Sequence, residues 1–192
     1  VLNKGQLIKR APTPEAVDFY LSSGQAESGE RVWEADEVSQ ASEPFRPVSI
    51  RIKERSGKVT DTVRSTEPVI IEFEYQLDAP VTGLRVGMYL NTMRGEYVFT
   101  AFDTDDAKQF EQFGARAAGR YVSRCEIPAD LFNEGRYYLG VNASSFGVKR
   151  YFMDENAISF NVDISGAPGT QWPELRQGPI RPRLNWKIEK ID

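Results

Sequence analysis

The sequence predicts an all-β chain folded as an antiparallel sandwich. Three observations predict it. Residues 69–103 hold three short runs in which apolar and polar side chains alternate, and period two puts one set on each face of a half-buried sheet. Similar runs recur to the end of the chain with turn residues between them, the spacing of a sandwich rather than of a parallel α/β fold. Gly135-Arg136-Tyr137-Tyr138-Leu139 fits the corner at which a tyrosine hydroxyl bonds back to the backbone, which favours the immunoglobulin-like version.

The N-terminal part differs from the rest. Residues 5–12 read as a short strand and turn. Thr13 is placed to N-cap a helix with Pro14 at its first position. Ala16, Val17, Tyr20 and Leu21 form its apolar face, and Ser22-Ser23-Gly24 ends it. So short a helix is marginal alone and must dock on something. Residues 25–44 are polar and read as a linker with a short strand over 31–34. This divides the chain into an N-terminal strand, helix and linker at 1–44 and a β-sandwich domain at 45–192.

From Phe45 the reading is all β. Val48, Ile50 and Ile52 face one way, with Ser49, Arg51 and Lys53 opposite. After a turn at Ser56-Gly57 come Val69, Ile71, Phe73 and Tyr75, then Leu84, Val86, Met88 and Leu90, each alternating with outward residues. Residues 96–102 make a third strand, and 103–119 an acidic, Gln-rich loop with a helical turn. Further strands fall at 119–127, 136–143 and 157–164. A Gly/Pro-rich loop spans 165–178, and a last strand runs over 180–191 with Ile180, Leu184, Trp186 and Ile188 on one side.

Composition narrows the function. The 24 basic and 28 acidic residues are well mixed and give a net charge of -4, so no basic stripe suggests nucleic acid and no polybasic run a membrane surface. No histidine is present, which removes the commonest general base, the usual zinc ligand and every Ser-His or Cys-His pair. Cys125 reads as a small packed residue in an alternating run, compatible with a reducing compartment. No secretory signal or spanning apolar run occurs, and Val1 in place of a start methionine suggests a piece of a longer protein. Nucleotide-binding glycine motifs are absent. Asp103-Thr104-Asp105-Asp106 opens like a calcium loop, but Gly114 stands where its bidentate glutamate belongs; a solvated acidic loop is the plainer reading. No catalytic signature, cofactor motif or metal set emerges.

The remaining signal is a surface. With Val86, Met88, Tyr137, Leu139 and Val141 inward, the outward set holds Arg85, Tyr89, Asn91, Tyr138 and Asn142, extended by Ser159 and Asn161 of the late strand. An aromatic ring suits the apolar C–H face of a sugar, and the polar groups suit its hydroxyls. Tyr89 and Tyr138 are the candidate platforms, and Arg85 is also suited to an anionic group such as phosphate. The competing reading is an ordinary solvated sheet face on which tyrosine is simply a good strand former.

These residues resemble a known family. The Pro12-Thr13-Pro14-Glu15-Ala16-Val17-Asp18-Phe19-Tyr20-Leu21 segment resembles the tail of an ABC transporter ATPase domain. Leu84-Arg85-Val86-Gly87-Met88-Tyr89-Leu90 with Gly95, Val98 and Phe99, then Ile127-Pro128, Gly135, Tyr137 and Leu139, then Phe160 and Val162, follow in an order similar to that of the C-terminal domain of Wzt-type ATPases. The closing run through Gly178, Ile180, Pro182, Leu184 and Trp186 is the most specific part. The resemblance implies an immunoglobulin-like, non-catalytic carbohydrate-binding module of a transporter that exports O-antigen polysaccharide from the cytoplasmic side of the bacterial inner membrane. It implies the ATPase domain, the membrane subunit and the glycan as partners, and dimers with exchanged C-terminal strands. A purely structural role, dimerising the transporter through a last strand centred on Trp186, stands as the alternative.

Overall fold

The computed structural model describes residues 2–3, 6–13, 16, 29–172, 174 and 176–191. The predicted N-terminal helix lies mostly outside them. A short ribbon pairs β1 (Leu2–Asn3) with β2 (Gln6–Leu7). The remaining strands are β3 (Glu30–Val32), β4 (Phe45–Lys53), β5 (Thr62–Arg64), β6 (Val69–Leu77), β7 (Val81–Thr82), β8 (Leu84–Thr92), β9 (Tyr97–Phe102), β10 (Ala115–Arg116), β11 (Gly119–Ile127), β12 (Gly135–Ser145) and β13 (Lys149–Asp163). The helix α1 (Ala107–Phe113) joins β9 to β10, with Asp106 capping it through bonds from the Lys108 and Gln109 amides.

Two sheets face each other. One runs β11-β6-β4-β3, the other β5-β13-β12-β8-β9. All pairings are antiparallel except β5 with β13, which is parallel over Asn161–Asp163 and Thr62–Arg64. This is the all-β sandwich the alternation predicts. The inward sets are as read: Val69, Ile71, Phe73 and Tyr75 on β6, Leu84, Val86, Met88 and Leu90 on β8, and Tyr137, Leu139 and Val141 on β12 are all buried. The corner also forms, the Tyr137 hydroxyl lying 3.0 Å from the Asn133 carbonyl oxygen and 2.7 Å from that of Pro179.

Three elements differ from expectation. The alternation in β4 breaks at Val48, where a bulge between Pro47 and Ser49 reverses the facing, so Phe45 and Ile50 both reach the core. Trp33 also enters the core, packed edge-on against Phe73 and Phe152 at 5.7 and 5.6 Å; with β3 paired to β4, part of the expected linker belongs to the sandwich. Among the described residues the predicted last strand does not form: Ile180 makes a single bridge to Phe132, the Arg183 amide donates to the Asp130 carbonyl at 3.2 Å, and 182–191 is exposed outside any strand.

Charge rows cross the outer face of the four-stranded sheet. The Glu72 carboxylate meets Lys53 and Arg124 at 2.5 and 2.8 Å, and Glu74 meets Arg51 and Arg120 at 3.3 and 2.5 Å. Burial pushes both carboxyls up, but hydrogen bonds from these cations outweigh it and hold them below the ordinary range.

Candidate functional site

The cross-strand register decides which predicted residues meet. Asn91, Tyr138 and Ser159 form one row across β8, β12 and β13; Tyr89 lies opposite Gly140, Asn142 opposite Gly87, and Arg136 opposite Asn161. With Arg85 opposite Ser144, all seven residues share the outer face of the five-stranded sheet.

Their accessibility is uneven. Tyr138 is only 1% exposed, with the Arg136 guanidinium 5.7 Å from its ring centroid, so it is part of the wall rather than an open platform. Asn91, Asn142 and Ser159 are buried as well. Ser159 accepts from Arg136 at 3.0 Å, and the Asn142 amide donates to the Tyr89 hydroxyl. Gly140 explains part of this closure. A bulge in β13 sets Leu139 against Ile158 and Val141 against Asp154, and the Glu155 carbonyl oxygen lies 2.6 Å from where a Cβ on Gly140 would stand.

The reachable members lie towards the edges. Tyr89 is half-buried and packs edge-on against Tyr97 at 6.0 Å, and Tyr97 is 65% exposed. Asn161 is exposed. The Arg85 guanidinium lies 4.4 Å from the centroid of the Phe102 ring and 5.2 Å from that of Phe146. The open aromatic pair is therefore Tyr89 with Tyr97. Sequence reading passed over Tyr97, although its place in an alternating hairpin strand carried the signal.

Beside Arg136 the face runs into a cleft of about 790 Å³ between the β8–β9 turn, the start of β12 and the loop after β13. Trp172 stands there 68% exposed. The loop is tied down by its backbone: Asn133 Nδ2 donates to the Arg176 and Gly178 carbonyls at 2.7 and 2.8 Å, and the Arg181 amide donates to Leu131 at 2.8 Å. A tryptophan in a Gly/Pro-rich stretch was the visible clue; which strand ends would flank it was not.

A second cavity of about 540 Å³ opens between the edge strands β9 and β11. Its polar floor is closed on itself. Asp103 accepts from Arg116 at 2.8 Å, from Ser123 at 2.6 Å and from the Val86 amide at 3.0 Å, while Arg116 also donates to the Tyr75 hydroxyl. The acids that open like a calcium loop are thus spent on structure: Asp103 here, Asp105 on the Phe102 amide at 2.8 Å, Asp106 on the helix cap. Among the described residues no helix is long and apolar enough to cross a membrane.

Comparison with known proteins follows the same lines. The sequence model of the Wzt C-terminal domain matches residues 41–172. A crystal structure of the C-terminal domain of Wzt superposes with a TM-score of 0.60 at 11% identity, over 90% of this chain and 96% of that one. The identity is low, so this likeness speaks for the fold. A CARDB domain from Pyrococcus furiosus aligns over 63% of this chain and 94% of its own at 14% identity, with a TM-score of 0.37 that carries no argument. The search of curated proteins gives no match.

Proposed function

The chain belongs to the Wzt C-terminal domain family, and on that premise we propose that it is a non-catalytic glycan-binding module of an ABC transporter that exports O-antigen polysaccharide. It works at the cytoplasmic face of the inner membrane and recognises the modified non-reducing end of the chain. Its partners are the polysaccharide, the ATPase domain and the membrane subunit. The observation that carries the reading is the Tyr89–Tyr97 pair, open at the edge of a face on which Arg136 bonds Ser159 and Asn142 bonds the Tyr89 hydroxyl. A sugar ring laid on this pair gains apolar contact, with Asn161 and Arg85 at the margins for hydroxyl or anionic groups. Tyr138, Asn91, Asn142 and Ser159 hold the face from beneath.

Calorimetric titration with the O-polysaccharide of the source strain tests this. Saturable binding is expected, weakened about tenfold, equivalent to about 1.4 kcal/mol, by Tyr89→Ala and by Tyr97→Ala. Unchanged affinity in both variants would remove the site while keeping the function.

One observation favours a second role beside this one. Residues 182–191 leave Leu184, Trp186 and Ile188 exposed in strand-like alternation, Trp186 at 84%. A second copy that took up this segment, each chain lending its tail to the other, would bury that stripe and make the module a dimeriser of the transporter. A folded protein that dimerises and binds no glycan would make this the better reading.

A further inference from the structure

One cation in the cleft has an unusual position. Arg181 is 9% exposed, yet among the described residues its guanidinium has one acceptor, the Pro168 carbonyl, which takes a bond from Nη2 at 2.7 Å. Its Nε is sealed from solvent with no partner. No carboxylate pairs with it among the described residues, in contrast to Arg116, which is similarly buried but held by Asp103. Of the acids lining the cleft, Asp163 takes the Ser165 hydroxyl and amide at 2.6 and 2.8 Å and Glu96 takes the Thr92 hydroxyl at 3.5 Å, while Glu134 and Glu174 stand on the same wall.

A guanidinium kept from water without a counter-charge is expensive, and an oxyanion that reaches it recovers much of that cost through charge-assisted bonds. The same cleft offers the Trp172 ring at its rim and Arg176 on its wall. Resting on the glycan-binding reading above, we infer that this cleft is a second, separate subsite, and that it takes a pyranose bearing an oxyanion, either a carboxylate or a phosphate monoester. Arg181 anchors the anion and Trp172 takes the ring.

The test is an NMR titration of the intact chain, following the Trp172 indole and arginine Nε–H signals. The probes are a methyl glucuronoside, a glucose phosphate, neutral methyl glucoside and inorganic phosphate. Saturable shifts at Trp172 and Arg181 are expected with the two anionic sugars, at least tenfold tighter than with the neutral one; which of the two binds better identifies the source of the oxyanion. Arg181→Gln should abolish the preference. Trp172→Ala, at an exposed position that folding tolerates, should weaken both sugars and leave inorganic phosphate unchanged. Equal binding of neutral and anionic sugars, or no shift at Arg181 with any probe, would overturn the inference. Polysaccharide binding that survives Arg181→Gln and Trp172→Ala but is lost in Tyr89→Ala would overturn this subsite and leave the glycan reading standing. Anionic-sugar binding without polysaccharide binding would do the reverse.

Discussion

Removing the Asp103 carboxylate would strand Arg116, whose side chain is almost wholly enclosed between the sheets. An unpaired buried charge is among the costliest single changes a fold can suffer. Asp103→Ala should therefore lower stability by about 3–5 kcal/mol in denaturant titration, and Asp103→Ala with Arg116→Met should recover a large part of it. A double variant as unstable as the single one would show that the cluster acts by packing alone. Tyr137→Phe asks a gentler question. It deletes the hydroxyl that reaches the Asn133 and Pro179 carbonyls, with an expected loss of about 1 kcal/mol. Burial pushes the Tyr137 hydroxyl up to about 12, so it stays a donor throughout the neutral range. Faster amide exchange confined to 164–181 would mark the loosened loop.

Gly140 and the β13 bulge belong to the scale of elements. A methyl group there would press on the Glu155 carbonyl at 2.6 Å, and backbone gives way poorly. Gly140→Ala should cost about 1–3 kcal/mol by overpacking, read as a drop in Tm; a neutral result would mean that the bulge is soft. The Glu72 and Glu74 rows set the acid limit. Their carboxyls titrate below the ordinary 4.5 when folded. The stability they contribute is therefore present in full above that pH and lost as the pH falls through the lower folded values. Glu72→Gln with Glu74→Gln should flatten the decline in stability below pH 4.5; an unchanged acid profile would place the sensitive groups elsewhere.

These elements also show what a single sequence discloses. Period-two runs place β6, β8, β11 and β12 well, because burial on one face writes itself into alternate residues. The short strand expected over 31–34 forms as β3, but so few residues show too little alternation to tell that Trp33 faces the core, and Val48 misled because a bulge shifts the phase without changing composition. The seven face residues do share a face, yet Tyr138 shows that outward is not the same as exposed. Closure there depends on Arg136 and on the β13 bulge, neither of which alternation reveals. The cleft was illegible because its walls come from segments about 40 residues apart, joined by bonds such as Asn133 to Gly178 that no local pattern announces.

For the whole molecule, the exposed tail makes the plainest prediction. If two copies exchange 182–191, light scattering should give twice the mass of one chain, and Leu184→Ser with Trp186→Ser should return a folded single chain. A dimer that survives would have its interface elsewhere on the sandwich. The parallel pairing of β5 with β13 carries a different consequence, a mechanical one. The Asn161 amide bonds to Asp61 and the Ser65 amide to Asp163, both at 2.8 Å. A pull on the chain ahead of β5 and behind β13 would slide two parallel strands in opposite directions. Every bond in that patch would then be loaded at once, like a glued lap joint rather than a zipper. A chain pulled from both of these ends would resist tension at this seam while the antiparallel edges remained free to peel.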